Sequence, residues 1–291
     1  MHIKRTTCFA VLLIAFISAQ AAFSQATKSW LSTDFSIENS VGIGTFVSGS
    51  RRVPDWTTLF TLLPKAELPI PQSFPKMFMS AELAASVVWL GTQRIEFPDL
   101  IFEFGVPTIY EIPQAGISFS TTVPVIAPTS LASRAMNRVL GTGLDLGIKW
   151  TNSNFSLALT PALRGFIYGD ELKSFRQSVM TIKTKVAGSW NHEAHKISAG
   201  VTYYWNFLRP LEYRPELASQ NSNSQSWTQS VMGKVAYSYG LPLPLETTLT
   251  AGIVSFQSVF SKTGSLLSPF FDFQTPNKNQ TQIFLEMTAS L

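Results

Sequence analysis

Three side chains in Asn191-His192-Glu193-Ala194-His195 have the makings of a metal centre. Two imidazoles can hold zinc, and a glutamate between them can take a proton from the bound water. A zinc-protease helix needs its histidines four apart, so that both share one face with the glutamate beside them. Here the spacing is three and the segment reads as a short turn, so exposed turn histidines are expected and no metal is assigned. The chain has no Gly-rich phosphate loop and no G-x-S-x-G elbow. Neither a catalytic residue nor a cofactor is expected.

The remaining candidates are charges that recur at every second position of long alternating segments. The basic ones are Lys149, Arg164, Lys183, Lys185, Lys196 and Lys234. The acidic ones are Asp34, Glu38, Glu82, Glu103, Glu111, Glu246 and Glu286, with Asp145 the one acid inside the basic sector. Charges of opposite sign on opposite walls of a lumen would set up a field across it, of a kind that orients dipolar solutes. The other reading is that these charges pair and fill a closed lumen.

Strands must position these groups, because alternate residues of a strand share a face. From Leu140 the even positions read Leu140, Thr142, Leu144, Leu146, Ile148 and Trp150, and the odd ones Gly141, Gly143, Asp145, Gly147 and Lys149. After a turn at Thr151-Asn152-Ser153-Asn154, Phe155, Leu157, Leu159, Pro161 and Leu163 form the apolar phase of the next segment. Similar alternation returns at 196–207, 227–239, 245–253 and 283–291. Segments of about ten alternating residues between turns are the mark of a transmembrane β-barrel. Ile197 to Phe207 is ten steps, which at roughly 3.3 Å each and a tilt near 40° rises about 25 Å, the height of a lipid-facing band. Aromatic residues gather at the ends of the apolar face. Tyr110, Trp150, Phe155, Trp190 and Tyr239 lie at one end, and Trp89, Trp205, Phe207 and Trp227 at the other. Two such girdles suit the headgroup levels of a bilayer.

Composition agrees. Only 14% of residues are charged, against about 25% in soluble domains, and the mean hydropathy is +0.14. The pI of 9.2 rests on a net charge of +4 without a basic run, which excludes a nucleic-acid partner. Lys4 and Arg5, the apolar run Phe9 to Ile17 and the small residues that follow read as a secretory signal peptide over 1–26, leaving 27–291 as one domain. Cleavage would remove Cys8, the sole cysteine, and with it any disulfide or thiolate site.

The expected architecture is all-β: an antiparallel up-and-down barrel of about twelve strands. They fall at 31–47, 55–63, 76–90, 99–110, 116–128, 138–151, 154–168, 178–190, 195–208, 227–240, 245–261 and 278–291. The second is the weakest, because the prolines of 64–75 do not suit a central strand. Ten strands are the fallback. Short turns are expected near 111–115, 151–154, 191–194 and 241–244, alternating with long loops near 129–137, 169–177, 209–226 and 262–280.

The chain resembles bacterial outer-membrane β-barrel proteins over everything after the signal. The most specific feature is the last strand, Gln282-Ile283-Phe284-Leu285-Glu286-Met287-Thr288-Ala289-Ser290-Leu291, in which Leu291 stands where the family usually has Phe or Trp. The resemblance implies an outer-membrane location, contact with lipid and with the barrel-insertion machinery, and a porin-like passive channel for small polar solutes, anionic ones among them. It also leaves room for a non-conducting structural or adhesive barrel whose loops, chiefly 209–226, bind a partner. Outer-membrane phospholipases use a Ser–His pair on the outer face. His195 has that phase, but no matching polar partner stands out beside it.

Overall fold

A computed structural model describes residues 31–42, 56–69, 75–89, 94–169, 178–208, 227–243, 245–258 and 280–290. The signal segment 1–26 and the loop 209–226 lie outside the described residues, as do nearly all of 169–177 and 262–280. The described chain forms β1 (Leu31–Gly42), β2 (Trp56–Glu67), β3 (Phe78–Val88), β4 (Arg94–Glu96), β5 (Leu100–Ile112), β6 (Ile117–Ala127) and β7 (Arg138–Thr151). It continues through β8 (Phe155–Tyr168), β9 (Ser178–His192), β10 (His195–Leu208), β11 (Trp227–Leu241), β12 (Glu246–Ser258) and β13 (Gln280–Ser290). One short helix, α1 (Leu131–Ala135), interrupts the connection from β6 to β7.

Twelve long strands close into a ring. Each pairs antiparallel with its neighbours, β13 returns to β1, and β2 joins β3, so no long strand keeps a free edge. Closure answers the strand-edge problem, since every ladder finds a partner inside the ring. The three-residue β4 is an addition, hooked onto the end of β3 through Ser86–Val88. The weak second strand is present, and it runs past the expected stop at 63 to Glu67, through Pro64. The expectation that Pro64 would end it is therefore corrected.

The ladders show how the prolines are carried. Pro64 pairs with Thr33 of β1, while the ladder to β3 skips from Leu62 to Lys65. Pro124 pairs with Glu103 of β5, and the ladder to β7 skips from Thr122 to Val125. Pro161 pairs with Thr184 of β9, and the ladder to β7 skips from Leu159 to Ala162. In each case the missing N–H falls where the sheet has a gap on one side.

The short turns lie at one end of the barrel. At 113–116 a single 3-10 turn ends on Gly116 at φ 63°, a conformation that suits glycine, and Gly116 accepts a hydrogen bond from Thr151 N at 2.9 Å. His192 and His195 are not in the turn itself. They close β9 and open β10 and face each other across the ladder, leaving Glu193 and Ala194 as the two turn residues.

Candidate channel lumen

Residues opposite each other in a ladder share a face, so the register assigns every side chain to one side of the wall. One phase is apolar and open. It contains Leu144, Leu146, Ile148, Leu157, Leu159, Val186, Ile197 and Val201, all at least 36% exposed. The other phase looks inward and includes Ala162, Ala236 and Phe284, each at most 5% exposed. All thirteen charges singled out from the sequence fall on this inward phase. The chain of partners Ser118–Lys149–Ala158–Ala187–Gly200–Lys234 shows the basic side. On the acidic side, Glu38 faces Glu286 directly, Glu246 faces Ser290, and Ser80 faces Glu103. The inward phase of β2 adds Lys65 and Glu67, which the sequence reading did not single out. Counting these two, Asp145, and Arg138, which pairs with Tyr168 of the inward phase, the described long strands present nine carboxylates and eight cations to the lumen.

The charges are arranged by depth. Asp34, Glu111, Lys149, Lys196 and Glu246 are exposed near the turn end. Further in, Glu38, Glu82, Glu103, Arg164, Lys183, Lys234 and Glu286 are half-buried. Arg164 and Asp145 form a two-pronged ion pair, with one arm at 2.7 Å between Nη2 and Oδ2. Asp145 is thus less an exception in the basic wall than the partner that neutralises Arg164. Lys234 places its ammonium 4.2 Å from the ring centre of Phe284, a cation–π contact. Lys183 lies within Coulombic reach of Asp145, Arg164, Lys185 and, on the acidic wall, Glu103.

Toward the loop end the inward phase changes character. Leu59, Ile101, Ile126, Phe166, Tyr204, Met232 and Phe256 occupy the loop-side halves of their strands. Tyr204 and Phe256 meet edge to face at 6.2 Å. The same period-2 count that found the charges contains these residues. Carrying no charge, they are not set apart from the outward apolar residues by alternation alone.

The aromatic residues expected as girdles lie on the outward phase near the strand ends. Tyr110, Trp150, Phe155, Trp190 and Tyr239 stand by the turns, and Trp89, Trp205, Phe207 and Trp227 by the loops. Trp56, not anticipated, joins the second group 6.3 Å from Trp89. His195 does have a polar partner: its Nδ1 lies 2.6 Å from the Tyr237 hydroxyl, and its ring rests against Tyr239. His192 stacks on Trp190 at 5.6 Å. These contacts place both histidines among the rim aromatics. Among the described residues no group of three or more His, Cys, Asp or Glu could hold a metal ion.

One polar cluster had no signal in the sequence. Asp99, just before β5, accepts hydrogen bonds from Ser130 N at 2.9 Å, Ser133 Oγ at 2.5 Å and Arg138 Nη1 at 3.1 Å. Beside it, Leu100 N donates to Thr129 Oγ1, which donates to Pro98 O. Burial pushes the Asp99 carboxyl up, but the hydrogen bonds from Ser133 and Ser130 and the charge of Arg138 outweigh it and hold it below the usual carboxylate range. The Arg138 guanidinium also stacks 4.3 Å over Phe166, at the lumen mouth.

No protein-family model and no curated protein matches the sequence. Among solved structures, an outer-membrane channel from Pseudomonas putida F1 superposes with a TM-score of 0.62 at 11% identity, over 91% of this chain and 97% of that one. The fold is that of a bacterial outer-membrane β-barrel. More distant likenesses include a loop-deletion mutant of OmpT from Vibrio cholerae, TM-score 0.44 and 7% identity over 90% and 98% of the two chains. An anion-selective porin from Comamonas acidovorans follows at 0.40 and 6%, with 90% and 98% covered. In an outer-membrane barrel the open apolar band of β7–β10 meets hydrocarbon, and the ring side chains at its two ends stand at the headgroup levels.

Proposed function

We propose that the protein is an outer-membrane channel through which small polar solutes diffuse. The observation that carries this reading is the segregation of charge around a closed inward face. Cations of β7–β11 occupy one arc of the ring and carboxylates of β1, β3, β5 and β13 the other. A filled barrel would instead pair its charges locally, as Arg164 and Asp145 do. Twelve strands fall between the eight whose interior is packed with side chains and the sixteen that leave a wide aqueous pore. Arg164 is cancelled by Asp145, so Lys183 and Lys185 on β9 are the cations left to act on passing ions beside it, and they favour small anions weakly. Dipolar solutes gain most from such a field.

The test is single-channel recording of refolded protein in a planar bilayer under a salt gradient. Discrete steps with a small reversal potential toward anions are expected. Replacing both Lys183 and Lys185 with Glu should move the reversal potential to the cation side. Arg164→Ala, whose charge is already cancelled by Asp145, should move it far less. Silence from protein shown to be folded would sink the channel reading. An unchanged potential in the double variant would remove the two lysines from selectivity.

A further inference from the structure

β3 pairs with β5 only over Phe78–Glu82 and with β4 over Ser86–Val88, so Phe97-Pro98-Asp99, which follow β4, lie outside the ladders. Asp99 fastens this stretch to the β6–β7 connection through Ser130 and Ser133. A cavity of about 410 Å³ opens at the join. Ser130, Leu131 and Ala132 form one side of it, together with Phe97 and Pro98. The other side is inward wall, with Glu38 and Ser40 of β1, Thr57 of β2, Ser86 of β3 and Gln282 of β13. Counted round the ring from β5, the strands β1 and β13 stand beyond β3 and β2. A connection anchored at the start of β5 that shares a cavity with β1 and β13 must lean inward over the mouth. The first residues of α1 are thus a roof on the loop end of the lumen.

Roof and wall differ in chemistry. The roof is mainly apolar and uncovered, Leu131 being 69% and Phe97 62% exposed. The wall carries a carboxylate, hydroxyls and an amide, and no Lys, Arg or His is among the described residues that line the cavity. Of the two carboxylates present, Glu96 is held by Arg94 at 2.5 Å. Glu38 enters no ion pair among the described residues, and its ladder partner on β13 is a second carboxylate, Glu286. Lys234 acts on Glu38 only at a distance, with its ammonium 4.2 Å from the ring centre of Phe284.

We propose that this cavity is a binding site for a small organic ammonium ion, its head on Glu38 and its apolar body under Leu131 and Phe97. The volume lies within the range of small-molecule pockets. An ammonium donates a charge-assisted hydrogen bond to the carboxylate and gains from the open face of an aromatic ring. An anion would meet carboxylates and no cation. A neutral apolar solute would take water from Glu38 and give nothing back. A calcium ion wants six or more oxygen ligands, which an apolar roof does not supply. The site stands on the acidic arc, away from β9, and a pocket can hold a ligand whether or not the lumen conducts. The site and the channel reading can therefore fail separately.

The test is a titration of para-fluorobenzylammonium into refolded barrel in neutral detergent micelles, followed by fluorine NMR. The control is para-fluorobenzyl alcohol, an uncharged molecule of nearly the same shape. The amine should bind saturably and roughly tenfold or more tightly than the alcohol, the scale of a hydrogen bond to a charged group. Glu38→Gln keeps the shape of the wall and should remove that preference, with folding checked by gel mobility before and after boiling. Leu131→Lys, at an exposed position of α1, sets a cation over the cavity and serves the same purpose if the first variant does not fold. Equal binding of amine and alcohol to wild type would overturn the proposal, since it marks partition into apolar surroundings alone. Absence of saturable binding would overturn it too, as expected if another part of the chain fills the cavity. So would a preference for the amine that survives in whichever variant folds.

Discussion

Asp99 and Arg138 show how much a single side chain can do at the loop end of this barrel. The carboxylate ties the segment before β5 to α1 and to the first residue of β7, so three connections move as one. Its carboxyl titrates below the usual carboxylate value of about 3.9. The stabilisation it gives is therefore present above that value and is lost as pH falls through its own lower value. Asp99→Asn should lower stability by roughly 1–3 kcal/mol at neutral pH, the scale of a hydrogen bond to a charged group. Heat-modifiable mobility measured against pH should show wild type and variant converging in acid. A constant difference down to pH 2 would mean that the charge is not what matters. None of this was legible beforehand. Asp99 and Arg138 are 39 residues apart, and a lone Asp after Phe-Pro carries no periodic signature. The phase of the charged strand residues was legible, because alternation fixes the face of a residue without fixing its contacts. What alternation could not show is that Asp145 and Arg164 cancel, which depends on adjacent strands meeting at one depth.

At the scale of the strand, hydrogen bonding governs what the sequence can carry. Pro64, Pro124 and Pro161 persist because each ladder is interrupted on the side where the N–H is missing. Ala187 has no such allowance: it pairs with Ala158 of β8 and with Gly200 of β10. Ala187→Pro should cost about 3 kcal/mol or more, seen as loss of the fast-migrating unboiled band, whereas Pro124→Ala should leave that band in place. Equal tolerance of both would show that the ladder gaps do not explain the prolines. Strand positions were largely readable from the turn residues and the period of two. The end of β2 was not, because the rule against proline in a strand is blind to which side of a ladder is open. The short β4 was missed as well, since three residues are too few to alternate.

For the molecule as a whole, closure follows from patterning. A sheet with one continuous apolar phase and one mixed phase can satisfy every strand edge only by joining its ends, and β1 meets β13 over nine pairs, from Asp34 with Ser290 to Gly42 with Gln282. The join at the chain ends is therefore not the weak place in the ring. That place is internal, where β3 and β5 share five pairs. Local opening should begin there, and native-state hydrogen exchange followed by mass spectrometry gives it a clock. Amides of 83–85 and of Phe97 should take up deuterium before those of the other strands, and those of β8–β10 last, by orders of magnitude in time. Uniform exchange around the ring would contradict this order. Seen this way the barrel is a hoop with its clasp set away from its two ends. A hoop of that kind can breathe at one stave without unthreading, so that brief widening under crowding or membrane tension leaves the first and last strands still stitched together.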